Sequence, residues 1–421
     1  MLSRRDLLKS ALAGSSLLAL SKFVPGFVYN TALAAEQGKD NILVVIEMNG
    51  GNDGLNTVIP FANELYYKNR PTLKIPKEQV VKLDDEVGLH PAMQNGFGQM
   101  HQKSSLAVIQ GVGYPNPDRS HFESMDRWHM ADPARKMATG WLGRSINELQ
   151  GKSGGIPIMH IGTGRLPLSL QGSTTGAISV NNKQPYRLDL GGGTDERHKA
   201  RRKLLEDLAA PDKEADKDNL LQFVARREVQ TLSTLDRLQA VLRGTGNGND
   251  QFFDPNTGRI LNNALPPKLQ LIARLIQQEF GTRVFYVMID GFDTHSGQVE
   301  AHRGLLQQVS DGIFQMFQTL QQGGHDKRVL VMTFSEFGRR VKENGSGTDH
   351  GAASCMFVAG PGVKGGVVGK HPSLEKLDDG DLIYHTDFRR VYATLLDDFL
   401  GVDSKAVLAG KFESLGFVKK A

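Results

Sequence analysis

Cysteine is nearly absent: Cys355 is the single one in 421 residues, so no intrachain disulfide can form. Stability must come from a packed core, and the chain is long enough for one large domain or two smaller ones. Strong charge of either sign is also missing. The formal net charge is +4, of which Arg4, Arg5, Lys9 and Lys22 against Asp6 supply a net +3 before Glu36. The remainder is near +1, which gives no electrostatic footprint for nucleic acid. No apolar run reaches the ~20 residues of a membrane-spanning helix. A Walker loop, a dinucleotide fingerprint and a Gly-x-Ser-x-Gly elbow are all lacking. Phosphate-loop enzymes, dinucleotide enzymes and α/β-hydrolases of the elbow type lose their main support.

What is present begins with an address. Ser3-Arg4-Arg5-Asp6-Leu7-Leu8-Lys9 places twin arginines before a modest apolar run from Ala11 to Leu20, and Ala32-Leu33-Ala34 offers small residues for cleavage. Residues 1–35 are expected to be a twin-arginine signal peptide. The expected partner is the twin-arginine translocase, and the expected location is the periplasm or beyond. The alternative is a basic amphipathic N-terminal helix.

Beyond it, six segments read as strands: 41–48, 105–110, 156–161, 283–289, 328–334 and 354–359. Their near-continuous apolar character fits strands buried on both faces. Helical patterns lie between them at 91–102, 267–279, 299–321 and 387–400. This alternation predicts an α/β fold over 36–421, a mostly parallel sheet sandwiched between helices. Residues 195–262 differ, being charge-rich with leucines at helical spacing and then rich in turn formers. They read as a helical insertion with a surface loop, or as ordinary surface helices.

Acidic, hydroxyl- and histidine-bearing loops follow the strand ends, where open α/β sheets bind ligands. Asp53 stands in Gly50-Gly51-Asn52-Asp53-Gly54, which is also a good turn. Asp290, Asp293 and His295 fall within six residues, more than a turn requires. Carboxylates ending apolar strands need a cation or donors, so Asp290 and Glu336 both call for a partner. Asp349 and His350 precede the last of these strands. Together these groups could hold divalent metal. Ser120 is either a nucleophile, activated by a base or metal, or the N-cap of a helix opening beside His121, with Glu123 completing a capping box. Arg119 could grip an anionic group through its planar fork. His90 reads as a helix-entry residue and His302 as a surface residue.

The order of these motifs is recognisable. Gly50-Gly51-Asn52-Asp53-Gly54-Leu55-Asn56, Leu89-His90-Pro91, Arg119-Ser120-His121-Phe122, Asp290-Gly291-Phe292-Asp293-Thr294-His295, Phe334-Ser335-Glu336-Phe337-Gly338-Arg339 and Gly347-Thr348-Asp349-His350-Gly351 resemble the exported bacterial family known as domain of unknown function 1501, over essentially the whole mature chain. That family is related to the alkaline phosphatase and sulfatase superfamily. The resemblance implies a sheet between helices, two metals and a hydroxyl or formylglycine nucleophile. It likens Asp53, Asp290, His295, Glu336 and His350 to metal ligands, with Asp293 and Asp349 as ligands or orienting groups. Ser120 is similar to the nucleophile, flanked by His121 and by Arg119 for the anion. Phe337 stands where a metal-binding histidine is expected, and Ser120-His121-Phe122-Glu123-Ser124 lacks the formylglycine pattern. The expected protein is a hydrolase of phosphate or sulfate esters using one or two divalent ions, zinc or manganese. The alternatives are a non-catalytic protein that keeps the fold and binds a cell-envelope component, or a secretion-associated assembly factor.

Overall fold

The structure, a computed structural model, describes residues 40–149, 156–162, 165–173, 177–180 and 264–419, with scattered positions between 200 and 261. The expected signal segment and most of the expected insertion at 195–262 lie outside the described residues. A nine-stranded sheet organises the rest. Its strands are β1 (Ile42–Asn49), β2 (Leu106–Gly113), β3 (Ile158–Ile161), β4 (Ile178–Val180), β5 (Val284–Asp290), β6 (Val329–Phe334), β7 (Ser354–Ala359), β8 (Gly366–Val368) and β9 (Thr386–Asp387). The order is β8-β2-β7-β6-β1-β5-β3-β4, with β9 also on β2. All six expected strands are present.

Pairing is parallel throughout except at β7, which runs antiparallel to both β6 and β2. The expected sheet is therefore mostly parallel, with one reversed strand. Because β7 is reversed, its start lies at the edge where β1, β2, β5 and β6 end. The loop before it, carrying Asp349 and His350, is brought to the same rim.

Alternation along the buried strands divides the core into two layers. Ile42, Val44, Ile46 and Met48 face one layer, built with helices α3 (Leu265–Gln277) and α4 (Gln298–Gln322). Leu43 and Val45 face the other, under α1 (His121–Met130), α2 (Trp141–Glu148) and α5 (Phe388–Leu395). The segment expected as a helix at 91–102 forms three short turns instead: 3-10 at Pro91–Met93, π at Gln94–Gly98 and α at Gln99–Gln102. Gly96 lets this segment pack closely on α4, since a Cβ there would lie 2.3 Å from the Ser310 carbonyl oxygen.

Candidate metal centre

Residues Asn49 and Asp290 lie opposite each other at the ends of β1 and β5, so the two loops that follow leave the sheet side by side. Gly50 and Gly51 let them touch. Their φ values are +119° and +82°, and a Cβ on Gly50 would fall 2.3 Å from the Asp293 amide nitrogen. Only glycine permits that conformation and that approach together. The Gly50 amide then donates to the buried Glu336 carboxylate (2.9 Å), joining the β1 and β6 loops.

Three imidazoles converge at this rim. His121 Nδ1 bonds Glu336 Oε1 at 2.8 Å, His350 Nδ1 bonds the Arg119 carbonyl oxygen at 2.8 Å, and His295 Nδ1 bonds Asp349 Oδ1 at 3.0 Å. Carboxylates and carbonyls only accept, so each Nδ1 carries the hydrogen and each neutral ring keeps its lone pair on Nε2. The Nε2 atoms gather around Asp293: His350 at 3.1 Å and His295 at 3.2 Å from Oδ1, and His121 at 3.5 Å from Oδ2. His295 Nε2 and His350 Nε2 lie 2.9 Å apart. Two lone pairs cannot face each other at that distance without a proton or a cation between them.

His121, Asp293 and His350 offer ligand atoms that all lie within 4.8 Å of one another, a group able to hold a metal ion. Glu336 and Asp349 orient imidazoles through the far nitrogen, as carboxylates behind metal-bound histidines do. The hydrogen bond that His121 donates to Glu336 raises the pKa of His121 despite its partial burial. Burial pushes the Asp293 carboxyl up, but the hydrogen bond and charge of Arg339 outweigh it and hold the group at about 2. Asp349 is lowered by its bond to His295. Asp293 is thus a carboxylate at neutral pH, and each imidazole is held in place through its Nδ1. Imidazole and carboxylate donors suit zinc or manganese.

Several expectations shift place. His121, expected beside the nucleophile, becomes a candidate ligand. Glu336, expected as a ligand, sits behind His121 with Oε2 accepting from Ser335 Oγ at 3.0 Å. Asp53 is turned away: Arg70 grips both its oxygens at 2.6 and 3.0 Å, and Gln298 Nε2 donates to Oδ2. Asp290 accepts from Asn49 Nδ2 at 2.7 Å and does not join the group. The Arg119 guanidinium points to Asp381 (2.7 Å) and Asp379 (3.1 Å), so only its carbonyl serves the centre. Phe337 packs against His121 and His350 at tilted ring angles, with ring centroids 4.9 and 4.7 Å away, as a donor-free wall. Arg339, fully buried and 2.7 Å from Asp293 Oδ1, was not foreseen as a site residue. Its signal was the cation directly after Ser335-Glu336-Phe337-Gly338.

The capping box does not form. Ser120 occupies the N-cap position of α1, yet its side chain makes no capping bond. Glu123 pairs with Arg135 instead of reaching back. The exposed hydroxyl is thus left uncommitted beside His121.

Behind the rim lies a polar layer. His302 is buried, not at the surface: its Nε2 meets Asn52 Oδ1 at 3.0 Å, and Asn52 N donates to Ser335 Oγ at 2.9 Å. His90 caps the turn at Pro91, as expected, with Nδ1 accepting from the Ala92 amide. Burial lowers the His302 pKa to about 4. Above pH ~6.5 the imidazole is neutral folded or unfolded; below it only the unfolded chain takes the proton, until the folded ring titrates near 4. Stability should therefore fall by roughly 2 kcal/mol between pH 7 and pH 5 from this group alone. His302→Gln should lose that part of the dependence in urea unfolding at the two pH values. Equal pH dependence in both proteins would dismiss the assignment.

A search of curated proteins finds no match. Among solved structures the chain is similar to Ps i-CgsB, with TM-score 0.36 and 10% identity over 89% of this chain and 73% of that one. It is also similar to the PsFucS1 sulfatase from Pseudoalteromonas sp., with TM-score 0.33 and 13% identity over 90% and 71%. For the alkaline phosphatase of the Antarctic bacterium TAB5 the TM-score is 0.31, with 12% identity over 77% and 93%. At such distances the likeness speaks to no activity. The sequence itself matches the family described as "Protein of unknown function (DUF1501)" across residues 40–412, and the chain belongs to that family.

Proposed function

We propose that this protein is an exported hydrolase of phosphate or sulfate esters that uses one divalent ion, zinc or manganese, at His121, Asp293 and His350. The observation that supports it is the set of imidazoles whose Nδ1 atoms are all tied back, turning their Nε2 lone pairs toward Asp293. Three protein donors leave coordination positions open, the pattern of catalytic sites. An ion bound there would polarise an ester oxygen and lower the pKa of a nearby hydroxyl.

The chain's own groups then have defined tasks. The Ser120 hydroxyl attacks phosphorus or sulfur; its Oγ bond forms as the ester bond breaks, and its proton leaves with the alcohol. We assign the transfer of that proton to His295, which is 44% exposed and backed by Asp349. Water then cleaves the seryl ester, releasing the anion and restoring the hydroxyl. Phe337 shields the imidazoles on one side, and Glu336 keeps the Nε2 of His121 turned outward.

Export rests on the twin arginines ahead of a short apolar run, which suit the twin-arginine translocase. Among the described residues no helix is long and apolar enough to cross a membrane.

Metal analysis of protein purified from the periplasm should find about one zinc or manganese per chain, with turnover on a panel of aryl phosphate, phosphodiester and sulfate esters. Zinc at a hundredfold over its Kd should stabilise the fold by about 2.7 kcal/mol. Metal-free protein that takes up no zinc and turns over no ester would overturn the reading. It would favour a non-catalytic protein that binds a cell-envelope component.

A further inference from the structure

The metal centre is tied to a hairpin outside it. Leu377–Asp378 pairs antiparallel with Asp381–Leu382, and Asp379 (φ 48°) and Gly380 (φ 82°) form the two-residue turn. Positive φ at both positions is what a type I′ hairpin requires. Asp381 is 4% exposed, and its Oδ2 accepts from Arg119 Nε at 3.0 Å and Nη2 at 2.7 Å. Asp379 Oδ2 accepts from Arg119 Nη2 at 3.1 Å and from Arg340 Nη2 at 3.2 Å. Beside them the Arg340 amide donates to the Asp349 carbonyl at 2.9 Å, and the Val341 amide to Gly380 at 3.3 Å. The hairpin tip therefore clasps the loop before α1 and the segment leading to His350.

We propose that Asp381 is a positioning residue for the metal centre: it anchors Arg119, whose carbonyl fixes the His350 ring with Nδ1 protonated and Nε2 turned inward. This rests on the function proposed above. Arg119 is the link because its two ends do different work, the guanidinium held by the hairpin and the carbonyl 2.8 Å from His350 Nδ1. Asp118 anchors the same loop only to its own neighbourhood, through the Ser120 amide and Arg127. The Arg119 guanidinium crosses from that loop to the hairpin beyond His350, with two bonds to the buried Asp381 and a longer one to the exposed Asp379. Stability gives little reason to keep Asp381. Its Oδ1 is buried without a hydrogen bond, with Arg340 Nε no closer than 3.9 Å. Such an oxygen costs free energy that an apolar residue would not.

The test measures zinc affinity by competition with a chelating dye, and the ring state of His350 by nitrogen-15 spectra of the metal-free protein. Asp381→Asn should weaken zinc binding about 10- to 100-fold, the range seen when groups behind metal ligands are removed. Arg119→Met keeps the carbonyl that His350 uses, so an equal loss would show that anchoring matters rather than an acceptor. It also serves if Asp381→Asn fails to fold. Asp378→Asn removes an exposed charge from the same hairpin without touching Arg119, and should bind zinc within about twofold of wild type. In wild type His350 should show one tautomer, Nδ1-protonated; in Asp381→Asn it should become a mixture. Wild-type affinity with an unchanged His350 signature in both Asp381→Asn and Arg119→Met overturns the clasp. A wild type that binds no zinc while His350 still changes state in the variants overturns the metal reading and leaves the clasp standing.

Discussion

Ser120→Ala should bind zinc as tightly as the wild type and hydrolyse its ester more slowly by a factor on the order of 10⁴ to 10⁶, the scale set when a nucleophile is removed from a hydrolase. The contrast between the two readouts follows from where the side chain is. Ser120 immediately precedes His121, whose ring belongs to the group that could hold a metal, yet the serine hydroxyl makes no capping bond. Alanine removes a reactive oxygen without freeing a helix terminus, so unfolding free energy should change by no more than about 0.5 kcal/mol. A purely structural serine would give the opposite pattern: the usual cap loss of about 1 kcal/mol and unchanged turnover. Undiminished turnover in the folded variant would remove Ser120 as nucleophile and point to water as the attacking group.

Much of this arrangement can be read from residue order. Buried parallel strands announce themselves as apolar runs, and ligand groups must come from the loops at their carboxyl ends. That logic reaches Asp293, His295 and His350 without coordinates. It stops at the direction in which each side chain points. Asp53 and Glu336 look alike in sequence, each a carboxylate just past a strand. One is taken by Arg70, seventeen residues on in an unrelated helix end, and the other becomes the orienting partner of His121. No local pattern encodes either choice, because both partners arrive through tertiary packing. The reversal of β7 is equally silent, since an apolar run does not state its direction. The Asp379–Asp381 hairpin carries a turn signature, but its grip on Arg119 spans more than 250 residues of chain.

Arg70→Met should destabilise the fold by about 3–5 kcal/mol, because it leaves a fully buried carboxylate without its cation. Asp53 is 0% exposed, and burial alone would push its pKa up; the Arg70 charge and hydrogen bonds pull it below the ordinary value. Arg70 also donates to the Val341 carbonyl at 2.7 Å and the Arg340 carbonyl at 2.9 Å, linking the β1 loop to the strap that leads to His350. The double variant Asp53→Asn, Arg70→Met removes the stranded charge but not those two orphaned carbonyls. It should recover more than half of the loss, read as midpoint shifts in urea unfolding with an unchanged slope. The same pair decides how many ions the rim can hold. With both oxygens committed to a guanidinium, Asp53 supplies no donor, and the described residues contain one metal-competent group. An Arg70→Met protein as stable as wild type that bound a second equivalent of zinc would release Asp53 to the ligand set. It would replace the single-ion reading with a two-ion one.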